Sequence, residues 1–179
     1  MENWNLVATT AEGKYTQALK FLAPFGIVKP TAYNNVVMMD VRDTLELMTL
    51  LAEEWQTQGG RLLLFKRVVP VTHTFNFGDR ALFVRRAQEV TLDWVPQLTG
   101  HTFRVRMHRR GFKDQLSSVE EEQILTATIL DATGKAGKRA AVSVDDPDAL
   151  IAMETIGSNA GMSLWFREDL QHYPFLHID

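Results

Sequence analysis

The stretch that decides the fold is TFRVRMH, residues 102–108, in which apolar and polar side chains alternate from one position to the next. Successive side chains of a β-strand point to opposite faces of the sheet, so this alternation predicts a strand with one buried face and one polar face. Phe103 and its apolar neighbours at odd positions would face the core. Arg104 and Arg106 would share the opposite face, about 7 Å apart.

The strand leads directly into a basic loop, Arg109-Arg110-Gly111-Phe112-Lys113. Guanidinium groups bind phosphate bidentately and keep their charge, and a glycine permits a turn and a close backbone approach. We therefore predict a phosphate-binding surface that also includes two arginines of the preceding helix: Arg85, Arg86, Arg104, Arg106, Arg109, Arg110 and Lys113. The alternative is a solvated strand edge whose charges prevent pairing with another edge.

Charge is distributed unevenly along the chain. Residues 61–113 contain eleven Lys/Arg and three acids, a net charge of +8. Residues 1–60 carry a net charge of −3 and residues 114–179 one of −8, so the whole chain has a charge of −3. A basic segment of this size indicates a polyanion partner. The alternative is that the acidic and basic segments neutralise one another in the fold.

Several classes of protein are excluded by composition. The chain has 179 residues, of which 45% are hydrophobic, so it can bury a sizeable core. It contains no Cys, which excludes disulfides, iron–sulfur clusters, Cys-ligated zinc and cysteine nucleophiles. No apolar run reaches the roughly 18–20 residues of a membrane span, and no signal peptide precedes the first strand. We expect a cytoplasmic protein with no membrane partner.

Catalytic, metal and cofactor sites are not expected. The five histidines are scattered without a compact ligand pattern, and no Gly-x-Gly-x-x-Gly is present. His172 and His177 lie near the end of the chain, and we interpret them as polar surface. An enzyme with an unrecognised site would instead show a deep pocket lined by ionisable groups with shifted pKa.

The first part of the chain alternates strands and helices. Apolar stretches predict a strand, a helix, a strand pair, a second helix and a further strand, the order of a ferredoxin-like α+β unit. Asp43 and Glu46 form a capping-box-like start of the second helix. Its predicted apolar stripe consists of Leu45, Met48, Leu51, Ala52 and Trp55. In the second half, Ser118 with Glu121 predicts another capped helix.

Several segments in the second half, taken in order, resemble the THUMP domain. They are FRVRMHRRG at 103–111, SVE at 118–120, AVSVDDPD at 141–148, and the closing segment at 156–166. Upstream, RVVPVTHT at 67–74 resembles the junction of stand-alone THUMP proteins, with Phe75 in place of their cysteine. The resemblance covers about residues 61–179.

The resemblance implies an α+β (α/β sandwich-like) fold, with an N-terminal ferredoxin-like unit (1–77) packed against a C-terminal THUMP-like α/β domain (78–179). It implies binding of tRNA at the acceptor stem and 3′ end. Stand-alone members are similar to adaptors that present tRNA to a separate cytidine acetyltransferase. The chain ends soon after its last predicted strand, so we expect no catalytic domain and no enzyme activity.

A second hypothesis comes from the acidic start of the helix at residue 118. The chain could be a protein-interaction subunit of an RNA-processing complex, with Glu120–Glu122 docking a basic partner. RNA contacts would then be secondary.

Overall fold

The computed structural model describes residues 3–176, which divide into two compact units. The first unit comprises the chain up to Thr72 together with the residues from Glu168 onward, and the second comprises His73–Arg167. None of the described helices is both long and apolar enough to cross a membrane.

The first unit has the ferredoxin-like topology that the sequence predicts. Its strands lie in the order β2-β3-β1-β4, and each neighbouring pair is antiparallel. The elements are Leu6–Thr10 (β1), Tyr15–Leu22 (α1), Gly26–Lys29 (β2), Val36–Val41 (β3), Thr44–Gln56 (α2) and Phe65–Pro70 (β4). Short 3-10 helices at Ala23–Phe25, Gly60–Leu64 and Pro174–Leu176 complete the unit.

Helix α2 begins as predicted but buries a different face. The Asp43 side chain accepts a hydrogen bond from the Glu46 N–H at 3.0 Å, which caps the helix. The buried residues are Leu47, Met48, Leu51 and Ala52. The predicted stripe was wrong at both ends, because Leu45 is 66% exposed and Trp55 is 51% exposed. Helical geometry turns Leu45 about 90° away from the centre of the buried face, and Trp55 lies beyond the last buried residue.

The second unit is an α/β domain with a mixed sheet. The strand order is β5-β9-β8-β6-β7, with β6 parallel to β7 and β8 and the other pairs antiparallel. The elements are His73–Asn76 (β5), Arg80–Asp93 (α3), Val95–Leu98 (α4), Thr102–His108 (β6), Ser118–Lys135 (α5), Ala141–Val142 (β7), Ala149–Ile156 (β8) and Asn159–Phe166 (β9). Helix α6 (Arg167–His172) follows the last strand.

The core of the second unit lies between its sheet and its long helices. Strand β6 alternates between buried and half-buried residues, as predicted, and Phe103 is completely buried. Phe83 of α3 and Ile129 of α5 belong to the same apolar cluster. The helices therefore cover the Phe103 face of the sheet, and the Arg104 face points the other way.

The boundaries of the two units differ from 1–77 and 78–179. Strand β5 (His73–Asn76) pairs with β9 and so belongs to the second unit. The 3-10 helix Pro174–Leu176 packs against β4 in the first unit, where Phe175 and Leu176 are buried. Both differences come from contacts between segments that lie roughly a hundred residues apart in the chain. The local sequence carries no signal for such contacts.

Candidate nucleic-acid interface

Strand β6 presents Arg104, Arg106 and His108 on the sheet face opposite to α3 and α5. Its parallel register with β8 places Arg106 beside Ala152 and His108 beside Glu154. The sequence-based expectation that the two strand arginines share one face is consistent with this register.

Arg106 is engaged by a carboxylate of helix α5. Its Nη1 lies 3.3 Å from Glu122 Oε1, and the same oxygen accepts a hydrogen bond from the Met107 N–H at 2.8 Å. The side chains of Arg106 and Glu122 are 30% and 18% exposed. Glu122 thus satisfies a backbone donor of β6 and neutralises the neighbouring guanidinium, which makes Arg106 a structural residue in this geometry.

Arg110 forms an ion pair that is more deeply buried than that of Arg106. Its Nη1 lies 2.6 Å from Glu154 Oε2, and the Glu154 side chain is 1% exposed. The Arg110 N–H donates to both the carbonyl and the hydroxyl of Thr155, and the Arg110 carbonyl accepts from the Gly157 N–H. His108 Nδ1 is 3.4 Å from the other Glu154 oxygen. Arg110 therefore joins the start of the basic loop to the end of β8.

The basic loop (Arg109–Lys113) turns as predicted at Gly111, where φ is +92°. Phe112 also has a positive φ, +50°, and its ring packs against Phe77 with centroids 4.8 Å apart. The Arg109 Nη1 donates to the Gly111 carbonyl at 2.7 Å, and Lys113 is exposed. The loop is thus anchored by an aromatic side chain, with a cation on each side of the anchor.

Arg104 lies nearer the beginning of β6 and is half-buried. Its Nη1 donates to the Val144 carbonyl at 3.2 Å, and that segment continues from the edge strand β7.

Arg85 and Arg86 lie on α3 and do not extend the Arg104 surface. Both are exposed, and Arg86 Nη1 lies 3.3 Å from Glu89 Oε2 one helical turn further on. Their helix packs on the Phe103 face of the sheet through Phe83 and Ala87. The seven predicted residues therefore fall into two surface groups and a pair of buried or half-buried ion pairs.

The acidic start of α5 is occupied by the chain's own arginines. Arg80 Nε lies 2.7 Å from Glu121 Oε1, and Arg80 Nη2 lies 3.3 Å from Glu120 Oε2. The hydrogen bond to Glu121 is the main cause that raises the pKa of Arg80. The cap is Ser117, whose hydroxyl accepts from the Glu120 N–H, and not Ser118. The acidic and basic segments therefore neutralise one another in part, the alternative that composition left open.

Sequence reasoning missed the two carboxylates that pair with Arg106 and Arg110. Glu122 and Glu154 follow their arginine partners by 16 and 44 residues. The second distance is bridged by the register of β6 and β8, which only the folded sheet reveals. Within residues 3–176, no group of three His, Asp or Glu side chains is placed to hold a metal ion. His177 lies outside the described residues.

The family model described as THUMP domain matches residues 86–164 of the chain. Over this range the chain is similar to the THUMP domain. The matched range begins within α3, contains β6, the basic loop, α5 and β8, and ends within β9. It thus holds every predicted site residue except Arg85. No curated protein matches the chain.

Solved structures share the fold of both units. PH1313 from Pyrococcus horikoshii Ot3 is 12% identical with a TM-score of 0.62, covering 91% of this chain and 54% of that one. TrmN from Thermus thermophilus is 20% identical with a TM-score of 0.62, covering 90% and 45%. A 4-thiouridine synthetase solved as an RNA complex with bound ATP is 14% identical with a TM-score of 0.56, covering 92% and 42%. The chain therefore spans about half the length of these proteins or less.

Proposed function

We propose that this chain is a non-enzymatic RNA-binding module. It binds the acceptor stem and 3′ end of tRNA and presents the tRNA to a separate modification enzyme. The enzyme that we propose is a cytidine acetyltransferase. The observation that carries the proposal is the match to the THUMP domain at residues 86–164. In support, one protein of the same fold is described as a complex with RNA, and the domain carries the basic loop on its surface.

Three cations form the core of the proposed contact. They are Arg104, Arg109 and Lys113, which lie on strand β6 and on the loop that leaves it. Arg85 and Arg86 form a second group on α3 that contacts phosphates elsewhere on a large ligand. Arg106 and Arg110 hold the fold in place. Phosphate contacts position the RNA without reading its sequence, so helix shape and the single-stranded end provide specificity.

Salt dependence tests the contact directly. Each phosphate neutralised contributes a slope of about −0.9 to the plot of log K against log salt for a duplex, so three contacts predict roughly a fortyfold loss of affinity between about 50 and 200 mM salt. Arg109→Ala/Lys113→Ala is expected to weaken tRNA binding at least tenfold at low salt and to lower the slope by about two.

The matched control is Lys138→Ala/Arg139→Ala, which removes two exposed cations that follow the far end of helix α5 in the same unit. Equal tRNA affinity in the two double variants would contradict the assignment of this surface. Arg110 is left intact because its loss would remove an ion-pair partner of the buried Glu154 carboxylate.

The adaptor role has its own test. The purified chain is incubated with tRNA and acetyl, methyl or sulfur donors, and the nucleosides are measured by mass spectrometry with and without a cytidine acetyltransferase. We expect no modified nucleoside from the chain alone and more acetylated cytidine when both proteins are present. Modification by the chain alone would overturn the non-enzymatic assignment.

The protein-interaction alternative is weakened by ion pairs within the chain. Glu120 and Glu121 share Arg80, and Glu122 contacts Arg106, so two guanidinium charges face these three carboxylates. A partner would have to break those ion pairs in order to dock there.

A further inference from the structure

The basic loop presents a run of main-chain N–H groups that have no acceptor within the described part of the chain. The N–H groups of Gly111, Phe112 and Lys113 donate no hydrogen bond to any residue between positions 3 and 176. Gly111 and Phe112 are half-buried and Lys113 is exposed. Because a backbone N–H is an obligatory donor, these three successive groups need acceptors from outside the chain.

The backbone of the loop changes hand where these N–H groups lie. The angle φ is +92° at Gly111 and +50° at Phe112, and it is negative at Lys113. The Phe112 carbonyl then accepts from the N–H groups of Gln115 and Leu116, at 3.0 and 2.8 Å, which continues the turn. Successive N–H groups in a turn of alternating hand form an anion-binding concavity known as a nest. Residues 111–113 are called the loop nest below.

The loop nest is held in place by the rest of its unit. A positive φ is uncommon for a residue with a side chain, and it persists at Phe112 because the ring packs against Phe77 with centroids 4.8 Å apart. On the other side, the Arg110 N–H donates to the Thr155 carbonyl and the Arg110 carbonyl accepts from the Gly157 N–H. The loop nest is therefore formed before a ligand binds, which lowers the ordering cost of binding.

Two cations and one acid border the loop nest. Arg109 Nη1 donates to the Gly111 carbonyl at 2.7 Å, which keeps the guanidinium beside the nest. Lys113 belongs to the nest and is exposed, and Asp114, also exposed, follows it. Three N–H donors in a net positive setting suit an anion with several acceptor oxygens, because hydrogen bonds to an ionised oxygen are the strong ones.

We infer that the loop nest holds one phosphate group in a fixed position, with its N–H groups as ligands and with Arg109 and Lys113 neutralising the charge. The inference deepens the proposed function and rests on it for the source of the phosphate. A terminal phosphate monoester and a phosphodiester of the RNA backbone offer the same oxygens. A phosphate held by the main chain depends on the path of the loop, whereas general attraction to a polyanion depends on the number of charges.

Titration with inorganic phosphate, followed by NMR of the backbone amides, tests the site in the full chain. We expect the amide protons of Gly111, Phe112 and Lys113 to shift downfield until they saturate, and sodium chloride of equal ionic strength to leave them in place. The response of the wild type decides this point without any variant. Asp114→Asn should tighten phosphate binding, because it removes the one acid that follows the nest.

Gly111→Ala tests the main-chain contribution, because it changes no charge. A Cβ disfavours a φ of +92°, so the loop moves and the affinity for phosphate should fall about tenfold. The matched control is Gly137→Ala, at a glycine with a φ of +100° in an exposed turn with open space around it. We expect Gly137→Ala to bind phosphate as the wild type does. Melting temperatures of both variants verify that each is folded.

An RNA acceptor-stem hairpin, made with a 5′-phosphate and with a 5′-hydroxyl, distinguishes the two sources. Tighter binding of the 5′-phosphorylated hairpin, with the difference lost in Gly111→Ala, identifies a terminal monoester as the ligand. Equal binding of both hairpins, weakened for both by Gly111→Ala, identifies a backbone phosphodiester. Either result supports the loop nest.

Three outcomes would overturn the inference. They are loop amides that respond no more to phosphate than to chloride, equal phosphate affinity in Gly111→Ala and Gly137→Ala, and hairpin binding that depends on Arg109 and Lys113 but not on Gly111. The last outcome would uphold the proposed function and exclude the loop nest. Phosphate binding at the loop without any tRNA binding would do the reverse, so the two failures are separate results.

Discussion

Arg110 Nη1 lies 2.6 Å from Glu154 Oε2 and so joins the basic loop to the end of strand β8. The Glu154 side chain is 1% exposed and that of Arg110 is 15% exposed, so both charges are largely removed from water. Removal of one partner from a buried pair leaves an uncompensated charge, which is far more costly than the pair itself. Arg110 is therefore a structural residue at the base of the proposed RNA surface.

Arg110→Ala is expected to lower the free energy of unfolding by about 3–5 kcal/mol, because Glu154 loses its charged partner in a buried environment. Urea denaturation followed by circular dichroism measures the change. Arg109→Ala, the neighbouring variant without a buried carboxylate partner, is expected to stay within about 0.5 kcal/mol of the wild type. The double variant Arg110→Ala/Glu154→Gln should recover part of the loss. Equal stability of the two single variants would show that the pair contributes nothing.

Asp79→Ala tests the start of helix α3. The Asp79 carboxylate accepts a hydrogen bond from the Leu82 N–H at 2.8 Å and caps the helix. Loss of such a cap costs about 1 kcal/mol of unfolding free energy, and Asp79→Asn, which keeps an accepting oxygen, should cost much less. Thermal unfolding of both variants is the measurement. A destabilisation by Asn as large as that by Ala would argue against the capping hydrogen bond.

Local patterns predicted the elements well. The alternation of TFRVRMH predicts β6 and its two faces because the period of a strand is a property of the backbone itself. Asp43 with Glu46 predicts the start of α2 for the same reason, since a cap needs only residues three apart. The apolar stripe of α2 was predicted less well. Sequence identifies apolar residues, but packing decides that Leu47 is buried and Leu45 exposed.

The candidate site was predicted only in part. The position of Arg104 and Arg106 on one face follows from strand geometry alone. Which guanidinium groups form ion pairs with Glu122 and Glu154 depends on α5 and on the β6–β8 register, which bring these carboxylates close to Arg106 and Arg110. The same limit applies to Arg85 and Arg86, since only the packing of α3 shows which side of the sheet they occupy. Charge counting identified a basic segment and could not show which charges it exposes.

Asp148→Asn tests a pH-dependent contact between β6 and β8. The Thr102 N–H donates to Asp148 Oδ2 at 2.8 Å, and this bond, with Thr102 O–H and then Arg167 and His101, lowers the pKa of Asp148 below its ordinary value of 3.8. A lowered folded-state pKa stabilises the fold above the unfolded pKa, and this contribution is lost as the pH falls through the folded value.

Asp148→Asn is therefore expected to lower the melting temperature at about pH 7, and the difference from the wild type should shrink as the pH falls below about 4. Calorimetry across this range measures it. Asp145→Asn, an exposed neighbour in the same turn, is the control and should show no such dependence. A difference that stays constant with pH would mean that the charge of Asp148 is not involved.

Glu122→Gln tests whether the acidic start of α5 weakens the proposed RNA surface. Glu122 lies 3.3 Å from Arg106 on the strand that carries Arg104, so its charge opposes phosphate binding at that strand. Gln keeps an oxygen that can accept from the Met107 N–H, and the fold should be retained.

We expect tRNA affinity to rise about two- to fivefold at low salt, since one charge at about 4 Å in water is worth about 1 kcal/mol. The gain should shrink at high salt, where the attraction between the protein surface and the RNA phosphates is screened. Glu12→Gln, an equal charge change at an exposed site of the first unit, should have a smaller effect. A gain in both variants would show that only the net charge matters, and a gain in neither would place the RNA away from β6.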